Sequence, residues 1–121
     1  SKILIEQEPN NKNLLLKLAN FYYAIGDFEK SEKLYKKVLE IDKTNLQALQ
    51  KLSNIEYVKG NLYTARDYLK EALSYSKDNK ILKEQYNNIV KEIKKFEARY
   101  KFFIEKRALE AKDVFDELIP M

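Results

Sequence analysis

The side chains here that could do chemistry are carboxylates, amides and amines. The 121 residues contain no Cys and no His. That removes disulfides, thiolate nucleophiles, Cys or His metal sites and every triad built on a histidine base. Carboxylates do recur at helical spacing, as Glu29/Glu32 and Asp113/Asp116/Glu117. General acid–base work needs such a pair in a site that shifts its pKa, and nothing around these marks burial, so they read as surface acids. Asp42 and Asp78 lack the ligand spacing of a calcium loop. The two glycines are isolated, so no phosphate-cradling loop exists. These features indicate a protein that is not an enzyme and needs no cofactor or metal.

A different chemistry is repeated. Asn20, Asn54 and Asn88 stand 34 residues apart. A primary amide offers two N–H donors and a carbonyl acceptor, so it can satisfy both sides of an extended peptide backbone whatever that peptide's side chains are. Lys17, Lys51 and Gln85 lie three residues before them and Tyr23 and Tyr57 three after, one helical turn to either side. The lysines suit acidic side chains or a terminal carboxylate, and the tyrosine rings suit apolar groups.

These residues sit in a duplicated unit. Residues 12–45 and 46–79 share ten identities at an offset of 34, among them Leu15/Leu49, Leu18/Leu52, Tyr23/Tyr57, Gly26/Gly60, Leu39/Leu73 and Asn45/Asn79. Small residues stay small at Ala19/Ser53 and Ser31/Ala65. Within the first unit Leu14, Leu15, Leu18, Phe21, Tyr22 and Ile25 follow a 3.6-residue period, as do Phe28, Ser31, Leu34, Tyr35, Val38, Leu39 and Ile41. Gly26-Asp27 separates the runs, the glycine ending one helix and the aspartate capping the next. Gly60-Asn61 repeats the device. Tyr22 belongs with the core by this period.

The pattern resembles the tetratricopeptide repeat family. Its signature residues fall in the first unit on Leu15, Leu18-Ala19, Tyr22, Gly26-Asp27-Phe28, Ser31, Tyr35 and Val38. In the second they fall on Leu49, Leu52-Ser53, Glu56, Gly60-Asn61-Leu62, Ala65, Leu69 and Ala72. Glu56 replaces the family's aromatic residue, and Lys43 and Lys77 replace its proline. Counting back, Pro9 takes the proline position, so residues 1–8 read as the tail of a preceding repeat helix. That reading and the absence of an initiator Met suit a piece of a longer protein. The resemblance implies an all-α fold, a right-handed α-solenoid of helix-turn-helix repeats with the first helix of each unit on the concave wall. It places the asparagine ladder in a groove that binds another protein as an extended segment or helix. The family's clamp for chaperone C-termini is mostly missing: Leu16, Lys51, Ile81 and Gln85 stand at its other ligand positions.

The third unit, from 80 on, starts with Asp78-Asn79 as a cap and then departs. Lys94 replaces the glycine, Arg99 a small residue and Lys106 the alanine, and no Gly or Pro occurs between Asn61 and Pro120. Leu82, Tyr86, Ile89, Ile93, Phe96, Tyr100 and Phe103 follow steps of four and three, a heptad seam on one helix. The spacing predicts a long helix over 80–111 and a short turn or extension over 113–119. Three fates fit: a capping helix broken near Lys94-Lys95, self-association or inter-chain docking through Phe96, Tyr100, Phe103 and Ile104, or a basic helix on RNA or a membrane surface. Residues 80–112 carry ten Lys/Arg but five interspersed acids, so the charge reads as a solvated face and nucleic acid is not expected. A homodimer remains the alternative to groove binding. No apolar run reaches the roughly 18 residues a membrane helix needs, and without a signal peptide the expected compartment is the cytoplasm.

Overall fold

The structure, a computed structural model, describes residues 11–119. Five helices account for almost all of them: α1 Lys12–Ala24, α2 Phe28–Ile41, α3 Leu46–Val58, α4 Leu62–Tyr75 and α5 Lys80–Leu118. Among the described residues there is no strand. The fold is an all-α solenoid in which α1 packs on α2, α2 on α3, α3 on α4 and α4 on α5. The expected tail of a preceding repeat over 1–8 lies outside the described residues.

Local chemistry sets the helix ends. Asn11, Asp27, Asn45 and Asn79 each accept a hydrogen bond from the backbone N–H three residues on, at 2.9 to 3.2 Å, which satisfies one of the donors a helix start leaves open. Both hairpin turns use a glycine with positive φ, +83° at Gly26 and +85° at Gly60. Around them the Asp27 N–H reaches the Tyr22 carbonyl at 2.9 Å and the Asn61 N–H reaches that of Glu56 at 2.9 Å, the six-to-one closure of a Schellman end. The expectation for Asn61 needs correction. Its side chain does not cap α4 but donates from Nδ2 to Glu56 Oε2 at 2.8 Å. Glu56 is a buried carboxylate standing where the family has a ring, and it draws the amide inward because a buried carboxylate without donors is unfavourable.

Close packing follows the small positions. Leu15, Ala19, Tyr35, Val38, Ala48, Leu52 and Ile55 form one buried cluster, and Leu49, Ala65, Leu69, Ala72, Leu82, Ile89 and Ile93 a second. Ser53 is buried and donates its hydroxyl to the Ala65 carbonyl at 2.8 Å, so α3 and α4 meet almost backbone to backbone. Tyr22, placed in the core by periodicity, is half-buried, with the Lys30 ammonium 5.2 Å from its ring centre. Phe21 and Ile25 share its period but are 56% and 61% exposed.

The third unit does not turn back. α5 runs unbroken for 39 residues, so neither a break near Lys94-Lys95 nor a separate turn over 113–119 occurs. The reason is local: Lys94 favours the helix where the other units have a glycine able to take positive φ. Burial stops at Ile93, and every side chain from Lys94 to Ile119 is exposed. At 1.5 Å per residue, about 37 Å of helix projects beyond the repeats.

Candidate protein-binding surface

The first helices of the units are stitched side by side. Asn54 Nδ2 donates to the Tyr23 hydroxyl at 3.3 Å, joining α3 to α1. Gln50 Nε2 donates to Gln85 Oε1 at 2.9 Å and the Tyr57 hydroxyl to Glu92 Oε1 at 2.8 Å, joining α3 to α5. Between α3 and α5 an open trough of about 460 Å³ is lined by Asn54, Tyr57, Gln85, Asn88, Glu92 and Lys95, with Leu69 and Ile89 among the residues at its walls.

The three ladder amides fare differently. Asn20 is half-buried and accepts from the hydroxyl of the buried Tyr35. Asn54 is half-buried and committed to Tyr23. Asn88 is exposed at the trough. Its repeat-equivalent tyrosine, Tyr57, bonds Glu92 instead. Of the flanking residues, Lys17 is exposed, whereas the Lys51 ammonium lies 4.3 Å from the centre of the Tyr23 ring. Tyr23 also meets Phe28 edge to face at 5.5 Å, so it belongs partly to the core. Tyr57 keeps 44% of its surface exposed.

A neighbouring carboxylate raises one tyrosine and burial another. The bond to the Glu92 carboxylate, and then its charge, hold the Tyr57 phenol above its ordinary pKa. Burial, with a smaller contribution from Tyr23, pushes Tyr35 up to about 12. The Lys59 ammonium lies 2.8 Å from Glu32 and 3.7 Å from Glu56, tying α2 to the end of α3. Its hydrogen bond is the main reason the Glu32 carboxyl sits below the usual range. Among the described residues no group of three or more carboxylates could hold a metal ion, and no helix is long and apolar enough to cross a membrane.

Reading for repeat-equivalent positions missed Gln50, Glu92 and Lys95. The signal for the first two was an offset: Gln50–Gln85 and Tyr57–Glu92 are separated by 35 residues and Tyr23–Asn54 by 31. Neighbouring first helices thus meet one residue more, or three fewer, than a repeat apart.

The four residues nominated for self-association lie on the projecting part of α5. Phe96, Tyr100, Phe103 and Ile104 are 46 to 59% exposed. The rings of Phe96 and Tyr100 stack at 6.3 Å, and Phe96 overhangs a hollow formed with the turn before α4 at Gly60, Asn61 and Leu62.

Comparison with known proteins agrees with this geometry. The family profile of the tetratricopeptide repeat matches residues 2–55, and the helix pairs described above continue the same period through α4. Over those residues the chain resembles the tetratricopeptide repeat family. Among solved structures, two crystal structures of MamA are similar to it, both 23% identical in sequence, with TM-scores of 0.70 and 0.68. Each alignment covers 76% of this chain and 54% or 50% of the other. This chain therefore spans about half the length of those neighbours, and at that identity the likeness concerns the fold alone. No curated protein matches the sequence.

Proposed function

We propose that this repeat array is a non-catalytic scaffold that holds an extended segment of another protein in the trough between α3 and α5. The observation that carries the reading is Asn88: an exposed amide beside an open trough that two further amides, Asn54 and Gln85, also line. Lys91 and Lys95 at its rim add positive charge for an acidic side chain of the partner. Toward α1, Asn54 of the trough contacts Tyr23, which the Lys51 ammonium covers, and in this reading Lys51, Tyr23, Asn20 and Lys17 extend the contact surface. Tyr57 lines the trough with its hydroxyl on Glu92, and in this reading a bound peptide's carbonyl competes for that hydroxyl.

The test is selection of peptides from a displayed random library on the wild-type protein, followed by titration of a selected peptide. Asn88→Ala is expected to weaken binding about tenfold or more, as loss of a desolvated hydrogen-bonding group does. Unchanged affinity for both Asn88→Ala and Lys95→Ala would sink the groove reading. A second reading, homotypic assembly through α5, is favoured by the bare apolar face of that helix.

A further inference from the structure

The projecting half of α5 carries an apolar face with no cover and a charge pattern that selects one. Leu82, Ile89 and Ile93 are the residues by which α5 is buried against the repeats. The same helical face continues as Phe96, Tyr100, Ile104, Ala111, Phe115 and Leu118, all exposed. At 3.6 residues per turn these positions fall within an arc of about 100°, the width of a packing stripe. Steps of four, four, seven, four and three keep them on one side of a nearly straight helix, with Arg107 the one charged residue well inside the arc.

The charges along this rod are segregated. Residues 94–107 hold six Lys or Arg (94, 95, 99, 101, 106 and 107) against Glu97 and Glu105. Residues 108–119 hold four acids (110, 113, 116 and 117) against Lys112. A second copy laid parallel would set basic half on basic half. Laid antiparallel it sets each basic half on an acidic one.

We propose that α5 pairs antiparallel with α5 of a second copy, about a two-fold axis near Arg107 and Ala108. This rests on the homotypic reading and supplies its orientation. The axis sets Tyr100 opposite the partner's Phe115, ring against ring, and Ile104 opposite the partner's Ala111, large against small. It brings Arg99 beside the partner's Glu117 and Lys106 beside the partner's Glu110, on the same flank. Arg107 meets its own counterpart near the axis, but its guanidinium already binds Glu110 in its own helix at 3.3 Å, which offsets the like charges.

The chain has no Cys, so single-cysteine variants read the orientation directly. Wild-type protein is expected to scatter light as a dimer of the 14.4 kDa chain. Ala108→Cys is expected to form a disulfide-linked dimer on oxidation, while Glu97→Cys, about 30 Å from its counterpart along the rod, is not. Arg99→Glu should weaken the dimer about tenfold, and Arg99→Glu with Glu117→Arg should restore it. Crosslinking of both cysteine variants means parallel helices and overturns the orientation while leaving self-assembly standing. A dimer in which Ala108→Cys stays reduced puts the pairing elsewhere and also overturns it. A monomer at all concentrations overturns both and leaves the face to a different protein.

Discussion

The Tyr57 hydroxyl lies 2.8 Å from Glu92 Oε1, whereas the repeat-equivalent Tyr23 hydroxyl accepts from Asn54 Nδ2 at 3.3 Å. Two tyrosines at the same repeat position are thus engaged by different partners. The difference arises because α5 offers a carboxylate one turn beyond Asn88, and a charged acceptor makes the stronger bond. That competition exposes the third ladder amide and opens the trough beside it.

Alkaline pH should unfold the first unit through Tyr35. Its phenol is raised to about 12 from an ordinary 10 by burial. A raised pKa means the folded state favours the neutral form, so the contribution is complete below pH 10 and is lost between 10 and 12. Helical circular dichroism of wild type is expected to fall through that window, and Tyr35→Phe to flatten the fall. At pH 7 Tyr35→Phe leaves Asn20 Oδ1 without its donor and should lower stability by about 1 kcal/mol in urea melts.

Lys59 should matter in proportion to the charge on Glu32. Its side chain is 41% exposed, so screening limits Lys59→Met to about 1 kcal/mol or less at pH 7. The Glu32 pKa is lowered from 4.5 by this partner. The depressed value makes the contribution complete above pH 4.5 and lost as pH falls through the folded value. Urea midpoints of wild type and Lys59→Met should converge as acidification protonates Glu32, and a difference that persists after it is protonated would contradict the ion pair.

Gly26→Ala and Gly60→Ala should each destabilise by about 1–2 kcal/mol for backbone reasons alone. Both glycines have positive φ, and a Cβ at either would meet no atom within 4 Å. Asn at the same positions tolerates the left-handed region better, so Gly60→Asn should melt above Gly60→Ala. Equal melting temperatures would argue against the turn geometry.

Removing residues 95–119 should leave the two repeats folded. Among the described residues no side chain beyond Ile93 is buried, so the thermal midpoint of the shortened protein, read at a concentration where wild type is monomeric, should stay within a few degrees. Leu52→Ala is the contrasting control. Leu52 is wholly buried, and its truncation should cost about 2–5 kcal/mol.

Much of the fold was legible because it rests on local rules. The Gly26/Gly60 spacing marked two helix hairpins, asparagine and aspartate marked most helix starts, and the missing glycine at Lys94 marked a helix that does not stop. The failures came where a nonlocal partner outcompeted a local role. Asn61 looked like a cap and became a donor to the buried Glu56. Tyr22, Phe21 and Ile25 shared one period with Leu15, yet only Leu15 is sealed.

By itself the amino-acid order determined the helices, their repeat and the apolar stripe of α5, because each depends on backbone preferences and on spacing within a few turns. Only the tertiary structure decided which of three equivalent asparagines stays open. Asn20, Asn54 and Asn88 have the same side chain in the same repeat position. They differ in what the adjoining helix brings within hydrogen-bond reach, Tyr35, Tyr23 or nothing once Glu92 has taken Tyr57.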